Sequence, residues 1–384
     1  MTFGIGYGLI LLLFVFSSLL PFHKRVLPTL LLFDFAISFL AYFVKAPSFV
    51  YWDTIRFSQF LDQLRGFNSL GIFNGIKWGL TSSYYAQQPV VVMYLWVFSL
   101  FKNDGVLFCA SAFFFLLSLS LLVIKSKKEL NCTPRVALFT QILILATFNI
   151  FFQIEGIRNF LAFILFTTSL YFDLSSNNKQ TRIFCWLFYM LAFSIHPSVF
   201  PLIIFRVVIV TGSKIVNLIT YIILLTYTFL LNPAIKFIST FAVFNLFTEK
   251  SQYYLYGQSN FQSFAGRGEI LFTSFIFIFL VLEFLLFNLY NMKENLPTKY
   301  ITFYKYVMVF TLGSFLNTQL YLRTIMLLLF LSVPIKMLLL SKKAFILDNN
   351  LSKSIIYVYK VLVVLFAILM FFWWNHQTYS KVLL

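Results

Sequence analysis

The chain alternates long apolar runs with short polar breaks, and run length decides what each helix can do. A helix that crosses a bilayer needs about 20 mostly apolar residues, within a range of roughly 17–25. Residues 3–20, 26–44, 105–124, 136–152, 159–174, 183–195, 197–210, 215–231, 270–290, 300–316, 322–340 and 355–374 are such runs, or nearly so. Residues 89–101 make a further, shorter one. The pattern predicts an all-α, polytopic membrane protein with about 12–13 membrane helices. The first run is not expected to be a cleavable signal, because no basic segment precedes it and no small-residue cleavage site follows it. No internal repeat is visible.

Composition narrows the picture. Hydrophobic residues make up 60% of the 384 positions, charged residues only 11%, and Phe alone occupies 53 positions. Mean hydropathy is +0.88. So few charges cannot cover a water-facing surface. A cytosolic enzyme, a secreted domain and a disordered chain are therefore excluded. Cys109, Cys132 and Cys185 are far apart and show neither metal-ligand spacing nor a disulfide framework.

Charge sets the expected orientation. Lys and Arg number 29 against 12 Asp and Glu, a net charge of +17. In so apolar a chain this excess reads as cytoplasmic loops rather than a nucleic-acid surface. Lys125, Lys127, Lys128 and Arg135 crowd one loop, and Lys179 with Arg182, Lys214, Lys293 with Lys299, and Lys342, Lys343 and Lys353 continue the alternation. Residues 153–158, the turn at His196, and residues 232–268 and 317–323 then face outward. Parity before Lys125 requires residues 89–101 to be a half-crossing or a membrane-surface helix, with residues 45–88 outside. The alternative inverts the first two spans and puts residues 45–88 inside. The domain expectation is one polytopic membrane domain, 1–384. It carries extracytoplasmic loops at 45–88 and 232–268, both rich in aromatics and suited to short interfacial helices.

Charges beside membrane helices are costly and mark candidate sites. Glu155-Gly156-Ile157-Arg158-Asn159 puts an arginine at an outward helix start, where backbone N–H groups and a planar guanidinium both suit phosphate. The alternative is a snorkelling Arg158 paired with Glu155. His196, in Ser194-Ile195-His196-Pro197-Ser198, sits between two apolar runs and could move a proton, or simply end a helix before proline. Gly266-Arg267-Gly268-Glu269 joins the second long loop to a helix, as an anion site or as an interfacial ion pair. Arg323 follows Asn317-Thr318-Gln319 and opens another apolar run. Arg158, Arg267 and Arg323 share one predicted side and could converge on a polyanionic lipid head group. Asp34, Glu283, Arg206, Lys305 and Lys336 would pair between helices or snorkel. No Walker A sequence, GxGxxG after a strand, HExxH, CxxC or DxD-type carboxylate pair is present. No cofactor and no metal are expected.

These marks, in this order, resemble the EpsG-type exopolysaccharide polymerases, which are related to the Wzy O-antigen polymerases. The resemblance spans roughly residues 26–340. Tyr51-Trp52-Asp53 resembles the family's Asp-Tyr motif, with Trp52 and Thr54 departing from it. Gln88-Pro89 matches its Glu-Pro motif with an amide in place of the acid. Ile157-Arg158-Asn159-Phe160-Leu161-Ala162 resembles its Ile-Arg-Gln-x-x-Ala motif, with Asn for Gln. His196-Pro197-Ser198 resembles its His-Lys-Ser motif, with Pro for Lys. The helix bearing Arg323 is similar to a later arginine-bearing helix.

The resemblance implies a multi-pass protein of the bacterial cytoplasmic membrane with an outward-facing site. It also implies substrates in the form of undecaprenyl-pyrophosphate-linked oligosaccharides. Protein partners in that setting would be a chain-length regulator and a flippase. On this reading His196, Asp53 and Glu269 are the catalytic candidates, with Glu155 behind them. Arg158, Arg267 and Arg323 would bind the pyrophosphate. Tyr51, Trp52, Tyr253 and Tyr254 would stack on sugars. The competing readings are a transporter or flippase of lipid-linked oligosaccharide, and a ligase using one lipid-linked donor.

Overall fold

The computed structural model describes residues 2–19, 25–44, 53–238, 267–290, 292–341 and 350–379. Every regular element among them is helical. In chain order these are α1 (Phe3–Leu19), α2 (Val26–Tyr42), α3 (Asp53–Asn68), α4 (Ile72–Ser82), α5 (Pro89–Ser99), α6 (Gly105–Leu130) and α7 (Pro134–Thr147). Then come α8 (Ile150–Glu155), α9 (Ile157–Ser175), α10 (Lys179–Ile195), α11 (Phe200–Val208) and α12 (Lys214–Ile238). The last are α13 (Arg267–Leu289), α14 (Thr298–Gly313), α15 (Thr318–Leu331), α16 (Val333–Leu340) and α17 (Asn350–Gln377). Short 3-10 turns occupy Pro197–Val199 and Met292–Asn295.

By length and apolarity, α6, α9, α13 and α17 can each cross a membrane, and α15 with α16 makes a fifth candidate if counted as one broken span. Among the described residues, six more apolar stretches of helix are shorter. Two predicted continuous runs are interrupted. Residues 136–152 divide into α7 and α8, because Asn149 caps the second helix by accepting from the Phe151 N–H at 3.1 Å. Residues 322–340 divide at Ser332. Residues 45–88 contain two helices, α3 and α4, rather than irregular chain.

The helices gather into two compact units, Met1–Leu202 with Val333–Leu384, and Ile203–Ser332. In the first, α6 is central, with α2 along one side and α9 along another, and α10 lies against α9. Between helices in lipid the hydrophobic effect supplies little drive, so close packing and polar bridges decide the arrangement. Gly105 supplies the packing: a Cβ there would lie 2.1 Å from the Tyr42 carbonyl oxygen, so only glycine lets α2 and α6 approach this closely. Asp34 supplies the bridge. It is fully buried and neither snorkels nor meets a cation in its hydrogen bonds. Its Oδ2 accepts from Ser120 Oγ, and its Oδ1 accepts from Gln141 Nε2 at 2.9 Å, which ties α2 to α6 and α7. Trp374 Nε1 donates to the Thr147 carbonyl (2.9 Å) and so fixes α17 on α7.

In the second unit α12 packs on α14, and α13 and α14 both pack on α15. Gly313 admits the Leu224 carbonyl oxygen, which a Cβ would meet at 2.1 Å. Tyr227 Oη donates to Ser314 Oγ at 2.8 Å beside this contact.

Candidate functional site

Arg158 is the second residue of α9, because Gly156 breaks the chain between α8 and α9. The helix end supplies a partial positive charge there, in addition to the guanidinium. The side chain, half-buried, reaches across to α3 and the start of α5. Its Nη1 donates to Gln88 Oε1 at 2.7 Å. The guanidinium carbon lies 4.7 Å from the Tyr85 ring centre and 5.9 Å from that of Phe57. Both rings are nearly fully buried, so they hold the cation in one place and shield one side of it from water. Burial pushes the Tyr85 phenol up, with the Arg158 charge opposing that shift.

The partner at residue 88 matters. A glutamate would neutralise the arginine, whereas the amide orients it and leaves its charge without a carboxylate partner among the described residues. A guanidinium has five N–H donors. Among the described residues only the bond to Gln88 engages one of them. Asp53 lies one turn before Phe57 on α3, where it pairs with Arg56 at 3.1 Å and is half-buried. It therefore belongs to the same neighbourhood, at its open edge.

Asn159 follows Arg158 in α9, and its side chain points about 100° away around the helix. It reaches the turn after α10. Ser198 Oγ donates to Asn159 Oδ1 at 3.0 Å and lies 2.7 Å from His196 Nδ1. The Ser198 backbone N–H also points at Nδ1, at 3.2 Å, in the manner of a helix cap. The two contacts on Nδ1 require opposite tautomers: if Nδ1 donates to Ser198 Oγ, then Nε2 is the basic nitrogen. His196 is thus both a helix-end residue and the head of a chain that runs back to α9.

The second unit holds Glu269 in the first turn of α13, and Arg323 on α15, which packs against α13. Asn317 caps α15 by accepting from the Leu320 N–H at 3.2 Å, so the helix begins at Thr318. Arg323 consequently sits in the second turn and does not open the helix, unlike Arg158. Glu269 and Arg323 form no salt bridge with described residues. Arg267 is the first residue of α13, and its side chain lies outside the described residues. So do Tyr51, Trp52, Tyr253 and Tyr254. Among the described residues, no three His, Cys, Asp or Glu side chains gather closely enough to hold a metal ion.

Phe57, Tyr85 and Ser198 are the participants that sequence reasoning did not single out as site residues. Ser198 and Tyr85 each adjoin a motif, but nothing along the chain joins residue 88 to residue 158. No family model, curated protein or solved structure matches this chain.

Proposed function

We propose that the protein is a polysaccharide polymerase of the bacterial cytoplasmic membrane. It transfers a glycan from undecaprenyl pyrophosphate to another lipid-linked oligosaccharide repeat. The reading takes the helices as about 12–13 membrane crossings and half-crossings, with Arg158 and His196 at the outward side. The observation that carries it is the Arg158 guanidinium, held by Gln88, Tyr85 and Phe57 beside a membrane helix, with no carboxylate partner among the described residues.

The acceptor hydroxyl oxygen attacks the anomeric carbon of the growing glycan. The bond from that carbon to pyrophosphate breaks, and its electron pair leaves with the lipid pyrophosphate. Arg158 stabilises the negative charge that develops on the leaving group. The hydroxyl proton passes to a base, for which His196 stands first, with Asp53 as its alternate. The cation supports a transferase that must hold pyrophosphate, and the His196–Ser198–Asn159 chain supports a base anchored to the same helix.

Extension of a purified lipid-linked repeat in vitro tests this. Arg158→Ala should lower the rate at least ~100-fold, the scale of losing one transition-state donor. Arg158→Lys should recover only part of it, because a point charge lacks the planar fork. Normal polymer yield from Arg158→Ala, at unchanged membrane levels, would remove the proposal.

A further inference from the structure

An apolar groove of about 580 Å³ runs through the first unit with Arg158 at one end. Its floor is one face of α9, from Arg158 through Leu165 to Phe172. At 1.5 Å per residue that is roughly 21 Å, more than the ~15 Å depth of one bilayer leaflet. α9 and α10 form a hairpin, so Ile195, next to His196, closes the same end as Arg158.

Phe114, Leu121, Phe184 and Phe188 line the groove and are also exposed at its rim. The opening therefore faces hydrocarbon rather than water. Few polar groups line it and most are engaged: Ser118 donates to the Phe114 carbonyl, Thr168 to that of Ser118, Ser169 to that of Leu165, and Tyr94 Oη lies 2.7 Å from Ser111 Oγ. Away from Arg158 the lining is therefore mostly apolar.

Charge chooses among apolar occupants: Arg158 is the charged residue of the lining and closes one end, so the occupant carries an anion there. A phospholipid brings two chains, whereas the floor is one helix face wide. We propose that this groove seats the hydrocarbon chain of a single-chain lipid phosphate or pyrophosphate, with its anionic head on Arg158. The inference deepens the polymerase reading by giving the lipid carrier a place, and it rests on that reading for the carrier's role.

The test uses the full chain in phosphatidylcholine nanodiscs and three photoreactive probes with a diazirine in the tail. These are a polyprenyl pyrophosphate, the matching alcohol, and phosphatidylglycerol. The pyrophosphate probe should label α9 and α10 on their groove faces. Leu165→Trp, which fills the groove, should cut that labelling at least tenfold, while Leu165→Ala, which widens it, should retain it. Arg158→Gln should cut labelling by the pyrophosphate and leave labelling by the alcohol unchanged.

Labelling spread evenly over the exposed faces of α1 and α17 would overturn the proposal. So would labelling undiminished in Leu165→Trp, or equal labelling of the groove by phosphatidylglycerol. Normal chain extension by Leu165→Trp would remove the groove's role and leave the polymerase reading standing. Groove labelling in a protein that extends no lipid-linked repeat would do the reverse.

Discussion

Gln88 sets the electrostatic state of Arg158 without carrying a charge. Its carbonyl oxygen accepts from Nη1 at 2.7 Å, and the guanidinium stays a net cation for an incoming anion. Gln88→Glu should therefore weaken anionic-substrate binding, since the new carboxylate competes for the same donors. A rise of about tenfold in the KM for the lipid-linked donor is expected, roughly 1.4 kcal/mol. Gln88→Ala, which keeps the cation but loses its orientation, should raise KM less. A lower KM in Gln88→Glu would show that the anion does not bind at Arg158. The residue scale also shows what motif reading supplies. Arg158, Asn159 and His196 were visible beside apolar runs, and Gln88 only through the motif resemblance at Gln88-Pro89. Their pairing was not, because hydrogen bonds join residues 70 and 39 positions apart. Phe57 and Tyr85 were invisible for a different reason: among so many aromatics, two more carry no signal.

Helix packing here depends on where side chains are missing. Gly105 and Gly66 both lie in helices, yet their surroundings are opposite. A Cβ at Gly105 would meet the Tyr42 carbonyl at 2.1 Å, while nothing lies within 4 Å of a Cβ at Gly66. Gly105→Val should force α6 from α2 and lower stability by about 1–3 kcal/mol, as overpacking does. Gly66→Ala should instead be neutral or stabilising by up to ~1 kcal/mol. Melting of the two variants in detergent checks the pair, and an unchanged melting temperature in Gly105→Val would contradict the close α2–α6 approach. Most helices were legible from run length alone, with boundaries moved by a few residues. The exceptions are the breaks at Asn149 and Ser332, inside runs that stay apolar on both sides. Hydropathy does not register them, because a capping side chain at Asn149 and a proline two residues after Ser332 interrupt a helix without interrupting apolarity.

For the whole molecule, orientation separates the polymerase from its transporter rival. Cys109, Cys132 and Cys185 are not joined in disulfides, and Cys132 and Cys185 are buried. In a background with all three replaced by alanine, Arg158→Cys and Arg323→Cys should react with a membrane-impermeant maleimide from the outer side only. Reaction from both sides would favour alternating access, and hence transport. The sequence alone determined that this is a helical membrane protein, since 11% charged residues cannot clothe a water-soluble fold. It also marked the few cations that insertion rules do not explain. Only tertiary structure decided how those marks combine. It set Arg158 against Gln88, Tyr85 and Phe57, linked His196 to Asn159 through Ser198, and opened an apolar groove beside the cation. Apolarity is a property of each residue and can be read one position at a time. A site and a groove are properties of which helix faces meet, and in lipid those faces are chosen by close packing and a few polar bridges that leave no periodic trace in the chain.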